Sequence, residues 1–191
     1  TTVFVKFPLK GEENTYFLAW TTTPWTLPSN LMLAVGKDID YAVMEEDGQK
    51  YVLAQALLGR YKKQLEHATQ VSTMKGADFV GMAYEPMFPY FKHLKEKGAF
   101  RVLSGEFVST EDGTGIVHNS PGHGVDDYFA CLKEGITDIC MPVDDDGKFY
   151  TGEEFGTGGP FSGMDTDEAN PHIIEFLRER GTLVAEKKIT H

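Results

Sequence analysis

Two stretches of this chain carry residues whose types and spacing could do chemistry. The first is Trp20-Thr21-Thr22-Thr23-Pro24-Trp25-Thr26-Leu27-Pro28-Ser29-Asn30, which gathers hydroxyl and amide side chains around two prolines without a charge. Hydroxyls that both donate and accept suit a small ligand bearing an ester, ribose hydroxyls or an amine. On an extended strand Thr21 and Thr23 take one side and Thr22 the other. Three threonines alone are more often an ordinary strand end and turn; the tryptophans and prolines at fixed offsets weigh against that here.

The second stretch runs Asp112-Gly113-Thr114-Gly115-Ile116-Val117-His118-Asn119-Ser120-Pro121-Gly122-His123-Gly124-Val125-Asp126-Asp127-Tyr128. Gly113 and Gly115 flank Thr114 at a strand entrance, where missing side chains let a ligand lie close to the backbone. Thr114, Ile116 and His118 share one strand face. If that face lines the same pocket as the threonines, His118 bounds its floor, either as a wall or as a general base; a lone strand histidine is otherwise a hydrogen-bonded core residue. Asp126 and Asp127 fall in the first turn of an expected helix, where carboxylates suit the free N–H groups. Adjacent helical residues point about 100° apart, so the two acids cannot face one ligand equally.

Other chemistries lack their parts. His118, His123, Asp126 and Asp127 do not have the H-E-x-x-H spacing, and no third cluster completes a metal site. Asp144-Asp145-Asp146-Gly147 lacks the alternate-position acids of a calcium loop and reads as a hairpin turn. The paired glycines lack the third glycine of a dinucleotide loop, and there is no Walker lysine. No G-x-S-x-G elbow occurs and no cysteine lies near the second stretch, so covalent catalysis has no evident nucleophile. What remains is a hydrolase that works by positioning, which is enough for an activated ester: a placed water, a held ammonium and polar groups around the oxyanion.

The run Thr21 to Asn30 resembles the threonine-rich motif T-T-T-P-W-T-L-P-x-N in the editing domain of isoleucyl-tRNA synthetases. The valyl and leucyl relatives usually carry Arg where this chain has Thr23. The second stretch resembles the other editing motif of that family, G-T-G-x-V-H-x-x-P-x-H-G-x-D-D-Y, and further similarity at Met141 to Gly147 and Ala169 to Ile174 extends the likeness over essentially all of the chain. The resemblance implies an α+β fold with an antiparallel β-barrel-like core and peripheral helices, formed by residues 1–191 as a single editing domain excised from a larger synthetase. It implies post-transfer editing, the hydrolysis of valine mischarged onto isoleucine tRNA, with valyl-adenylate as a second candidate substrate. It also implies site residues: Asp127, His118 and Thr22 for catalysis, with Trp20, Thr21, Thr22, Thr23, Thr26, Asn30, Gly115, His118 and Asp127 around the substrate. Asp127, directly before the tyrosine, is then the acid that holds the substrate's ammonium. The expected partners are the 3′ end of the tRNA and the rest of the synthetase in cis, with no membrane, no metal and no cofactor in this domain. The expected place is the cytoplasm. Neither an H-I-G-H-like nor a K-M-S-K-S-like segment is present, so ATP chemistry belongs to the parent enzyme. The alternatives are a valyl-type editing domain that clears threonine, and a small-ligand or tRNA-end binding module without catalysis.

Composition agrees with one substantial globular domain: 191 residues, 41% hydrophobic and 25% charged. A net charge of −11 speaks against gripping a long duplex by its phosphates. A single-stranded end needs fewer contacts, and basic residues cluster at Arg60, Lys62 and Lys63, at Lys92, Lys95, Lys97 and Arg101, and at Arg178, Arg180, Lys187 and Lys188; any one cluster is more simply a solvated face. Cys131 and Cys140 read as buried, reduced thiols.

The elements that must position these residues follow from periodicity and punctuation. Strands are expected over Val3 to Phe7, Tyr16 to Thr22, Leu31 to Val35, Tyr41 to Met44 and Tyr51 to Ala54, with a hairpin turn at Asp47-Gly48. Shorter strands are expected at Val71 to Met74, Phe100 to Leu103, Glu106 to Val108 and Gly115 to Asn119. Helices are expected from Gln55 to about Glu66, from Gly124 to Gly135, and from an Asn170-Pro171 cap to Arg180. Gly152 to Gly163 reads as a loop.

Overall fold

The computed structural model describes residues 2–138, 140–150 and 161–187. The chain opens with β1 (Thr2–Pro8) and β2 (Thr15–Thr21), an antiparallel pair in which Val3 faces Thr21 and Pro8 faces Tyr16. β3 (Met32–Val35) follows, then the hairpin of β4 (Asp40–Glu46) and β5 (Gln49–Ala54). Asp47 and Gly48 between them have φ of 50° and 83°. Both central residues of a type I′ turn need positive φ, which explains the choice of Asp-Gly.

β6 (Thr69–Lys75), β7 (Arg101–Ser104), β8 (Ile116–Asn119) and β9 (Leu183–Lys187) complete the strands, with helices α1 (Val125–Lys133) and α2 (Thr166–Glu179). The strands form a six-stranded sheet, β6-β4-β5-β2-β1-β9, and a three-stranded one, β7-β3-β8. The barrel-like antiparallel core expected from the sequence is not what the described residues form. Both sheets are open and mixed: β2 runs parallel to β5, and β3 parallel to β7. A chain that crosses between sheets after β2 and again after β3 brings co-directional strands together, which alternation of residues alone does not reveal.

Other boundaries also moved. The expected helix from Gln55 is a short 3-10 segment, Gln55–Tyr61, that buries Leu57 and Tyr61. Glu106 to Val108 is not a strand, and β9 carried no signal strong enough to be read. α2 starts a turn earlier than its Asn-Pro pair suggests: Asp165 is the cap, its carboxylate accepting from Glu168 N at 2.8 Å, and Pro171 sits inside the helix. The glycine-rich loop expected over Gly152 to Gly163 falls almost wholly outside the described residues.

The two sheets meet where β2 passes β8. Thr114 Oγ1 donates to Leu18 O at 2.6 Å and Ala54 N donates to Thr114 O at 2.7 Å, so the second motif is stitched to both β2 and β5. Gly115 makes this approach possible. Its φ is 80°, and a Cβ there would lie 2.6 Å from the Ala54 methyl and 3.3 Å from the Tyr41 ring. Gly115→Ala therefore combines backbone strain with overpacking, and we expect a loss of about 1–3 kcal/mol from the overpacking alone. A urea midpoint for Gly115→Ala equal to that of the parent chain would contradict the close packing.

Candidate active site

The threonine run is folded by its own hydroxyls. β2 ends at Thr21, whose Oγ1 accepts from Thr23 N at 3.1 Å, turning the chain out of the sheet. Pro24 then begins a 3-10 segment, Pro24–Ser29, where its missing N–H costs nothing and its fixed φ is already suitable. Thr26 seals the turn: its N–H and its hydroxyl both donate to Thr23 O, at 3.0 and 2.9 Å. From the far side Asn170 Oδ1 of α2 accepts from Trp25 N at 3.1 Å. The motif's second proline and its asparagine carry the chain straight into β3.

β8 pairs antiparallel with β3, placing His118 opposite Leu33. This register drives the imidazole between Thr26 and Asn30 of the threonine run. Asn30 Nδ2 stands 2.8 Å from His118 Nδ1, and Thr26 Oγ1 stands 2.9 Å from His118 Nε2. Asn30 Nδ2 also lies 3.0 Å from Met32 O, and Tyr84 Oη donates to Asn30 Oδ1 at 2.5 Å. A group that close to a carbonyl oxygen has to be the donor, so the amide orientation is fixed and His118 Nδ1 accepts. Nε2 consequently carries the proton and donates to Thr26. Burial, with His123 adding to it, pushes His118 down from 6.5 to about 3, so the ring is neutral near pH 7.

The network continues toward the acids. Ser29 Oγ donates to Thr26 O at 3.0 Å and meets Ser120 Oγ at 2.7 Å, and Ser120 N donates to Asp127 Oδ2 at 2.9 Å. Asp127 is half-buried at the start of α1 while Asp126 is exposed, which separates the adjacent acids as helix geometry requires. Desolvation raises the Asp127 pKa, opposed by the Ser120 N–H and aided by the Asp126 charge. Asp127 Oδ1 makes no hydrogen bond or ion pair with the described residues. His123 packs edge-on against Trp25 at 4.7 Å, and its Nε2 is buried without a hydrogen-bond partner among the described residues. Beyond it the apolar side of α1 is turned outward rather than buried: Val125 and Phe129 are 72% and 60% exposed. With Pro121, Tyr128 and Met141 they line an open groove of about 690 Å³.

The structure thus distributes the expected site residues unevenly. Thr21, Thr23, Thr26, Asn30 and His118 form one hydrogen-bonded group, and Asp127 joins it through Ser120 and Ser29. Thr22 is exposed and makes no hydrogen bond to the described residues, so its hydroxyl is open to a ligand. Asn30 is buried, and its amide is spent on Tyr84, Met32 and His118 instead of facing outward. Trp20 lies on the opposite side of β2 from Thr21, near Gly113. Gly115 is a packing glycine against Ala54 and Tyr41; its absent side chain makes room for the protein's own atoms. Among the described residues no group of three or more His, Cys, Asp or Glu is placed to hold a metal ion, and Cys131 and Cys140 are free and buried.

No protein-family model matches the chain. Among curated proteins it is 46% identical over 192 residues to an isoleucine–tRNA ligase of Bdellovibrio bacteriovorus, covering 99% of this chain and 18% of that protein. Similar matches are the isoleucine–tRNA ligases of Clostridium tetani, 43% over 195 residues, and of Picrophilus torridus, 43% over 193 residues, each spanning 17% of the relative. Along nearly its whole length the chain matches a segment of isoleucyl-tRNA synthetases. It spans less than a fifth of the length of those synthetases. Among solved structures it shares its fold with GlLeuRS-CP1, at a TM-score of 0.73 and 16% identity over the whole of both chains. It also shares it with the editing domain of the P. falciparum cytosolic leucyl-tRNA synthetase, at 0.69 and 12% identity, over 97% of this chain and 99% of that one. The chain therefore has the fold of these two leucyl-tRNA synthetase structures.

Sequence reading missed Tyr84, Ser29, Ser120 and Asn170 as parts of this hydrogen-bonded network. Ser120 lies between His118 and Asp127 in the motif and could have been suspected. Tyr84 reaches the site from a segment with no motif of its own, and Asn170 from one that read only as a helix cap and a stretch of family likeness. The lowered pKa of His118 has a measurable consequence. Its folded pKa near 3 lies below the unfolded value of 6.5, so the unfolded chain binds more protons between those values and stability falls as pH falls through that window. His123 shifts in the same direction, and Asp127, whose pKa is raised, acts in the opposite one. His118→Gln, which cannot titrate, is expected to lose less of its urea midpoint between pH 7 and pH 5 than the parent chain. Equal losses in both proteins would remove His118 as a source of the pH dependence.

Proposed function

We propose that this chain is a post-transfer editing domain that hydrolyses the ester of valine mischarged onto isoleucine tRNA, with valyl-adenylate as a second substrate of the same chemical type. The observation that carries the reading is the junction of the two motifs. The threonine run, His118 and Asp127 are tied into one network, in a chain that matches isoleucyl-tRNA synthetases along nearly its whole length. A pocket built for isoleucine rejects valine by one methylene only, a problem for which isoleucyl-tRNA synthetases are themselves the standard example, and a second, smaller pocket solves it by steric exclusion.

Each residue then has a task that its surroundings support. Asp127 holds the α-ammonium: a desolvated carboxylate with one oxygen unengaged gains from a cation, through a charge-assisted hydrogen bond worth roughly 1.5–3 kcal/mol. The open hydroxyl of Thr22, with Thr21 and Thr23 beside it, faces the ester and the terminal ribose. His118, with both nitrogens occupied, stands as a rigid neutral wall against the extra methylene. An ester needs no covalent intermediate here, since a positioned water and polar groups around the oxyanion suffice. The 3′ end of the tRNA, the remaining synthetase in cis and a cytoplasmic setting belong to the same reading. Several of the basic residues are already committed to acids, among them Arg60 to Asp112, Lys97 to Asp138 and Arg178 to Glu186. Such a surface suits a short single-stranded end better than a duplex.

Three outcomes test this. Asp127→Ala should abolish valine deacylation while leaving the unfolding transition in place; a variant that deacylates at near the parental rate removes Asp127 from the site. His118→Ala should open the pocket and raise hydrolysis of correctly charged isoleucine tRNA by on the order of tenfold, with valine hydrolysis changing less. If His118 were instead the general base, the same variant would lose valine hydrolysis and gain nothing with isoleucine. Catalysis is also expected to persist in EDTA, and an EDTA loss restored by zinc or magnesium would contradict the metal-free scheme.

A further inference from the structure

We propose that Tyr84 and Asn30 are a positioning pair that fixes which ring nitrogen of His118 carries the proton. The inference rests on the editing reading for its consequence and on geometry alone for its existence. Tyr84 is 1% exposed and enters from the segment ahead of β7, where its backbone bridges Leu9 and its N–H donates to Phe100 O at 3.0 Å. The rings of Phe7 and Phe100 pack edge-on against it at 5.3 and 6.1 Å. So held, its hydroxyl donates to Asn30 Oδ1, its one acceptor among the described residues.

Asn30 passes this constraint on. With Oδ1 taken by Tyr84 and Nδ2 shared between Met32 O and His118 Nδ1, turning the amide over would set Oδ1 against the Met32 carbonyl. Nδ1 of His118 therefore faces a donor and stays bare, and the proton is confined to Nε2, which donates to Thr26 Oγ1. Thr26 in turn has its own proton committed to Thr23 O. A single direction of donation runs from the buried Tyr84 through His118 to the backbone of the threonine run. The threonine turn and the imidazole wall are thereby held in one fixed relation, although neither Tyr84 nor Asn30 presents a polar atom to the ligand.

The test compares the parent chain with Asn30→Asp and Tyr84→Phe, using long-range proton–nitrogen spectra of His118 at pH 7 together with ester hydrolysis. In the parent chain Nδ1 should be bare and Nε2 protonated. Asn30→Asp replaces the donor with a carboxylate that only accepts, so the proton should move to Nδ1. The threonine turn and the imidazole wall should then lose their fixed relation, so the valine-to-isoleucine rate ratio should narrow on the order of tenfold while valine hydrolysis itself changes less. Tyr84→Phe keeps the ring and removes one oxygen; it should narrow the valine-to-isoleucine rate ratio by about tenfold while KM stays within about twofold, because no ligand contact is lost. Should Asn30→Asp fail to fold, Tyr84→Phe carries the comparison, its spectrum showing the proton shared between the two nitrogens. A parent spectrum with the proton on Nδ1, or variants that keep both the parental tautomer and the parental rates, overturns the proposal. A parent chain with the stated tautomer but no deacylation would support the lock and count against the editing function, so the two failures are distinguishable.

Discussion

The insertion of His118 between Thr26 and Asn30 is the interaction on which the site depends. Two segments far apart in the chain, 92 and 88 residues for the two hydrogen bonds, are joined through one side chain. Thr26 and Asn30 are buried, His118 is half-buried between them, and each nitrogen of the joint has a partner. Removing one partner would leave a polar group desolvated and unpaired, which costs more than the hydrogen bond itself returns. The arrangement is therefore stiff, and stiffness is what a site needs if it discriminates by excluding a single methylene.

The fold serves that joint. β3 lies between β7 and β8, so the strand leaving the threonine run is the same strand that fixes the register of His118. The antiparallel partner delivers the imidazole, and the parallel partner, β7, carries the segment from which Tyr84 projects. Thr114 stitches the base of β8 to β2, and Gly115 permits the close approach. α2 closes the other side by accepting the Trp25 N–H through Asn170. Acid and wall are then linked by Ser120, whose backbone anchors Asp127 and whose hydroxyl meets Ser29.

Much of this was legible in the sequence, and the illegible parts share a cause. Local patterns marked β1, β2, β4 and β5 to within two residues at either end, because each is an alternating or aromatic run bounded by turn residues. The Asp47-Gly48 turn was legible for the same reason. Strand direction was not, since parallel pairing of β2 with β5 is decided by how the chain crosses between sheets. Asn30 was legible as a residue of the site but not in its role: a motif asparagine reads as a ligand contact, and only the positions of Tyr84 and Met32 turn its amide inward. Gly115 likewise reads as room for a ligand and proves to be room for Ala54. The apolar spacing of α1 identified a helix, yet that face is exposed beside the groove, because amphipathic spacing states that a face is apolar and not what covers it.

The most direct test of the account is a crystal structure of this chain with a non-hydrolysable valyl-adenosine analogue. The account predicts the ammonium within hydrogen-bonding distance of the Asp127 carboxylate, the ribose and ester against Thr22 and its neighbours, and the valine side chain stopped by the His118 ring. An analogue bound away from the junction of the two motifs, or one whose ammonium pairs with another acid while Asp127 keeps only its Ser120 contact, would contradict it.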